Sequence, residues 1–177
     1  MVVLRVLQIS VAGVACVVAF GTGCGKSSSS AGGPTAPATN AASPAIQPQC
    51  DPSLWAHVYD PGRLQIKQTC QTVTGVIMEQ HANDDGDIDM RLALDAQYES
   101  LLNEGNRTAL NGWLQTEAIC QAAVQPDSPD AAKACGTFRG AVPVPSVGAH
   151  VRVTGTYVLD THHGWMELHP ISVLEVR

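Results

Sequence analysis

The chain has 177 residues, a formal net charge of −6, six cysteines and only two phenylalanines. All sixteen acidic residues but only eight of the ten basic ones lie from Cys50 onward, so that stretch is acidic by eight charges. Phosphate backbones and anionic bilayers are gripped through clustered cations, which disfavours nucleic acid as a partner. A membrane surface held through a basic patch is disfavoured for the same reason.

The first twenty residues read as a signal peptide. Arg5 gives a positive start, and Val11 to Phe20 is an apolar run too short to span a bilayer. Gly21-Thr22-Gly23-Cys24 resembles the lipobox of bacterial lipoproteins, with Gly21 standing where leucine is usual. That resemblance implies cleavage before Cys24 and a lipid on its sulfur. The alternative is an ordinary secretory signal with an incidental cysteine. Residues 1–23 are thus the lipoprotein signal peptide. Residues 24–49, rich in Ser, Ala and Pro and nearly uncharged, form a flexible tether. The expected location is the cell envelope, on its periplasmic or extracellular face, with the membrane as a partner through Cys24.

Residues 50–177 suffice for one domain. They contain no Gly-rich phosphate loop and no GxSxG elbow. Their four cysteines are Cys50, Cys70, Cys120 and Cys135, an even number in an exported chain, which suggests two disulfides. Four cysteines allow three pairings. Cys50–Cys70 with Cys120–Cys135 is the preferred one, since both close short loops. A zinc site is the rival, but there is no CxxC pair and the spacings are wide.

In chain order, Leu64 to Gln80 is rich in strand formers, with Gly75 where a long strand would bend. Asp84-Asp85-Gly86-Asp87 signals a turn, and Ile88, Met90, Leu92 and Leu94 then alternate with Asp89, Arg91 and Ala93 as in a half-buried strand. The two strands make a hairpin whose tip carries outward-facing carboxylates. The EF-hand order is not met there, because Leu92 would stand where the bidentate Glu belongs. Ala96 to Leu102 reads as a short helix. Trp113 to Cys120 reads as a strand with Leu114, Thr116 and Ala118 on one side. Ser128-Pro129-Asp130 opens another short helix. His150 to Leu159 and Gly164 to Val176 are the last two strands. This order predicts a mainly β fold, a small five-stranded OB-like barrel with one or two short helices. An antiparallel sandwich is the alternative.

The densest chemistry lies in Asp160-Thr161-His162-His163-Gly164-Trp165-Met166-Glu167-Leu168-His169-Pro170. Alternation places His163, Trp165, Glu167 and His169 on one face, with Met166 and Leu168 in the core. Same-face residues are ~6.6 Å apart along a strand. Glu167 and His169 could therefore meet at one divalent ion, joined by His163 and Asp160, since imidazole and carboxylate suit zinc, manganese or iron. The bland reading is a set of turn residues, a covering indole and a plain His–Glu pair, and the absence of an HExxH signature argues against a metal-dependent hydrolase.

His57-Val58-Tyr59-Asp60-Pro61-Gly62-Arg63-Leu64, Cys70-Gln71-Thr72-Val73-Thr74-Gly75, Gly148-Ala149-His150-Val151-Arg152-Val153-Thr154-Gly155 and above all His163-Gly-Trp-Met-Glu167-Leu-His169-Pro170 together resemble an uncharacterised family of exported bacterial proteins. The resemblance spans about Leu54 to Ile171 and implies an OB-like domain without naming an activity. Members often carry His in the second strand where this chain has Asp89. Two functions remain open. One is a tethered module that binds an envelope ligand or protein through Arg152, His163, Trp165, Glu167 and His169, with no cofactor. The other is a metal-dependent hydrolase in which His163, Glu167 and His169 hold the ion and Asp160 assists.

Overall fold

The computed structural model describes residues 49–177. The signal peptide, Cys24 and all of the tether but Gln49 lie outside the described residues. Five strands are present: β1 Leu64–Ala82, β2 Ile88–Leu94, β3 Leu114–Ala118, β4 His150–Asp160 and β5 Met166–Val176. Two short helices are added, α1 Glu104–Ala109 and α2 Pro129–Cys135, together with 3-10 turns at Pro52–His57, Pro61–Arg63 and Ala96–Leu101.

The strands close in a ring, in the order β1-β2-β3-β5-β4 and back to β1. All pairs are antiparallel except β3 with β5, which meet in parallel through Gln115 opposite Glu167 and Thr116 opposite Leu168. β1 closes the ring because it is long enough to serve two neighbours. It pairs with β4 as far as Val76 and with β2 from Gly75 onward. Gly75 stands at this handover, where a Cβ would lie 2.4 Å from the Ala93 carbonyl oxygen. Only glycine permits that approach.

Inward-facing side chains follow the alternation read from the sequence. Val73 and Ile77, Met90 and Leu92, Leu114 and Ala118, Val151, Val153 and Tyr157, and Met166 and Leu168 fill one core. A second apolar cluster lies against Val158 of β4, formed by Val58, Leu64, Ile119, Cys120 and Cys135. Val158 alternates with Tyr157 and so belongs to the opposite, outer face. The chain from Ile119 to Gly140 is fastened there. The Ala122 amide donates to the Gly86 carbonyl, the Gln125 amide to that of Asp84, and the Gly140 amide to that of Cys120.

Disulfides join Cys50 to Cys70 and Cys120 to Cys135, with Cα separations of 5.4 and 5.7 Å. Such bonds belong to an oxidising, exported setting. Among the described residues no helix is long and apolar enough to cross a membrane.

One correction concerns the hairpin tip. Asp84 is exposed, but Asp87 and Asp89 are 2 % and 6 % exposed and so are covered rather than open to solvent. Asp87 accepts the Cys120 amide at 2.7 Å, so the Ile119–Gly140 segment is what seals it.

The sequence reading also missed α1, whose residue Asn106 anchors the start of β5. Asn106 is fully buried. It exchanges capping hydrogen bonds with Asn103, its amide donates to the carbonyls of Trp113 and Met166, and its oxygen accepts the Met166 amide. Asn106→Ala strands several buried backbone groups, and we expect a loss of about 2–3 kcal/mol in urea unfolding. A loss under about 0.5 kcal/mol would mean that solvent replaces those bonds.

Candidate functional site

The outer face of the sheet carries a polar belt. Register sets Asp89 of β2 opposite Glu117 of β3, Gln115 of β3 opposite Glu167 of β5, and Glu167 opposite Val158 of β4. Residues paired in this way share a face. The belt therefore includes Asp89, Gln115, Glu117, Glu167, His169 and Asp160, each side chain placed by a strand rather than by a loop.

His169 is at its centre, 1 % exposed. Its Nδ1 lies 2.8 Å from Glu117 Oε2 and 3.2 Å from Glu167 Oε1. The other Glu167 oxygen accepts the Trp165 indole N–H at 3.0 Å, and the indole stacks on His163 with ring centres 4.3 Å apart. His163 Nδ1 is 2.9 Å from Asp160 Oδ2, which also faces Arg63 Nε at 3.3 Å. Arg63 then reaches back to within 4.0 Å of Glu117. The contacts thus run in a closed circuit from His169 through Glu167, Trp165, His163, Asp160, Arg63 and Glu117. An arm extends from it: Gln115 donates to Asp89 at 2.5 Å, and His81 lies 3.3 Å from the same carboxylate.

Burial and charge set the protonation of this belt. Burial pushes Asp87 up to about 7, helped by neighbouring Asp85, and pushes Asp89 up to about 7, helped by Glu117. Burial, with Glu117 beside it, also raises Glu167. Burial disfavours the charged form of His169, but Glu117 and Glu167 overcome it and hold the imidazole well above its usual value. Glu117 is lowered in spite of burial, because His169 and Arg63 face it. Asp160 is lowered in the same way, by hydrogen bonds from His163 and by the Arg63 charge.

The expected site residues are partly assembled. Glu167 and His169 meet directly. Trp165 joins them by its indole, and His163 with Asp160 forms a separate pair linked through Trp165 and Arg63. Arg152 is not among them: it binds exposed Glu175 at 2.7 Å, near the end of the β4–β5 pairing away from Asp160. Glu167 and His169 lie on the face opposite the core, as alternation places them, but they are sealed from solvent. The sequence reading did not place Arg63, Gln115 or Glu117 in the site. Glu117 was detectable, since alternation puts it opposite the apolar side of its strand. Arg63 lies in a 3-10 turn without any periodic signal.

Two open grooves lie elsewhere. One, about 330 Å3, runs between Phe138–Pro143 and Ile171–Leu174, with Asp51 and Leu54 at its end. The other, about 510 Å3 and shallower, lies between Ala56–Pro61 and α2. Neither is lined by Glu117, Glu167 or His169. No family model, curated protein or solved structure matches this chain.

Proposed function

We propose that the chain is a cell-envelope lipoprotein whose OB-like barrel, carried on a tether from the lipidated Cys24, is a binding module rather than an enzyme. The observation that carries this reading is the sealing of the belt. A hydrolase built on His163, Glu167 and His169 needs a path for substrate to the ion, and both Glu167 and His169 are buried away from the open grooves. The two disulfides and the resemblance to exported bacterial proteins support the location.

The groove beside β5 is the contact surface. Its floor is apolar, with Ile119, Phe138, Val142, Ile171 and Leu174. β5 pairs with β3 only at Glu167 and Leu168, so among the described residues its edge on this side has no strand partner from Pro170 onward. An unpaired edge beside an apolar groove suits an extended peptide segment of a partner protein, which adds backbone hydrogen bonds and places alternate side chains in the groove. Linear peptides selected on the mature full-length protein should bind wild type and lose at least tenfold in affinity for Ala141→Arg, which fills the groove from an exposed position. Equal binding to both, or turnover of ester or phosphoester probes that is lost in Glu167→Gln, would overturn the reading.

A further inference from the structure

We propose that Asp87, Glu117 and His169 form a closed binding site for one divalent transition-metal ion of the zinc class. One donor atom from each lies within 4.8 Å of the others, and all three residues are buried. This is not the set expected from sequence, which paired Glu167 and His169 with His163 and Asp160.

Geometry beyond mere proximity points to a ligand. Two sealed polar atoms of this cluster, Asp87 Oδ2 and His169 Nε2, have no hydrogen-bond partner among the described residues, while the third residue, Glu117, already lies against the imidazole through Oε2, 2.8 Å from Nδ1. Leaving such atoms bare is costly, and a cation held with the Glu117 carboxylate would satisfy both together. One imidazole nitrogen with two carboxylate oxygens suits zinc, with manganese and iron as chemical neighbours. Zinc bonds of ~2.0–2.2 Å in tetrahedral geometry would hold donor atoms ~3.4 Å apart. One donor atom of each residue already lies within 4.8 Å of the other two, so such a set would close by at most ~1.4 Å.

The surroundings are those that orient ligands. Glu117 Oε2 and Glu167 Oε1 both face His169 Nδ1, at 2.8 and 3.2 Å, which fixes the ring so that Nε2 is the free nitrogen. The Cys120 amide donates to Asp87 Oδ1 and leaves Oδ2 available. The Cys120–Cys135 disulfide fastens the segment that carries this amide. The ligands come from the hairpin turn, β3 and β5, so the ion would tie three separate parts of the sheet together. The seal leaves no route for a large substrate, which makes the site structural, and its existence does not depend on the groove proposed above.

The test uses mature protein purified without a histidine tag, stripped with chelator and titrated with Zn2+ by calorimetry. We expect one ion per chain and a rise of several degrees in the thermal midpoint. Asp87→Asn retains the acceptor for the Cys120 amide and should weaken Zn2+ binding at least 100-fold while the circular dichroism spectrum of wild type is kept. His169→Gln should do the same. His163→Gln should leave binding within threefold. Absence of a stoichiometric site in wild type, retention of it in Asp87→Asn, or its loss in His163→Gln would each overturn the proposal. None of these outcomes touches the peptide groove, whose test reads Ala141→Arg.

Discussion

His169→Leu should lower the unfolding free energy of metal-free protein by about 3–5 kcal/mol, the range found when one partner of a buried charge pair is removed. The imidazole is the group on which Glu117 and Glu167 converge, at 2.8 and 3.2 Å, and these carboxylates are at most 5 % exposed. Leucine is close in volume, so the loss reports uncompensated charge rather than a cavity. The loss should be largely recovered when Glu117→Gln is combined with His169→Leu, because the stranded charge then disappears with its partner. Urea unfolding of the two single variants and the double variant checks this as a cycle. A loss under about 1 kcal/mol for His169→Leu alone would mean that the belt is hydrated or already protonated throughout. Full additivity of the two changes would mean that Glu117 and His169 do not interact.

The contrast between what the sequence revealed and what it hid follows from two kinds of information. Alternation is local, and it placed Met166 and Leu168 inward and Glu167 and His169 outward as the strands do. The same periodicity placed Leu114 and Ala118 inward, and therefore Gln115 and Glu117 on the outer face. Alternation does not say whether an outer face is bare. That depends on the Ile119–Gly140 segment, whose attachment runs through single long-range bonds such as Cys120 N–H to Asp87 and Ala122 N–H to the Gly86 carbonyl. No pattern in the segment announces where it docks.

Register is hidden for a related reason. The meeting of Glu117, Glu167 and His169 depends on the short parallel contact of β3 with β5, only two residue pairs long. These strands are separated in sequence by α2 and β4, and nothing in either strand specifies that offset. Arg63 enters from the turn before β1, where its position follows from Leu64 pairing with Asp160. The polar residues of the HGWMELHP block were visible from the start. Their partners were not, because a buried ionic circuit is built from long-range neighbours.

The second large effect is on pH dependence, and its sign opposes ordinary acid denaturation. Asp87 and Asp89 are both displaced from 3.8 to about 7 in the folded state, with burial as the first cause. A carboxyl raised on folding stabilises through its protonated form. That contribution is complete below about pH 4 and is lost as pH rises through about 7. His169, raised by its two carboxylate neighbours, adds in the same direction: its contribution is present below about 6.5 and is lost only as pH climbs past its elevated folded value. Glu117 and Asp160 act oppositely, since their lowered values stabilise above the carboxylate range and fail in acid. The two trends together place maximum stability of the metal-free protein near about pH 5. Each three-unit displacement corresponds to about 4 kcal/mol at full strength, but Asp87 and Asp89 both feel Glu117, so their effects overlap. We therefore expect a fall of about 4 kcal/mol in total between pH 5 and pH 8, measured by urea unfolding with chelator present. Asp87→Asn with Asp89→Asn should flatten the slope, because the amides stay neutral throughout. A stability that rises from pH 5 to pH 8 would show that these two carboxylates are ionised in the fold, held by a charge or by water that the belt admits.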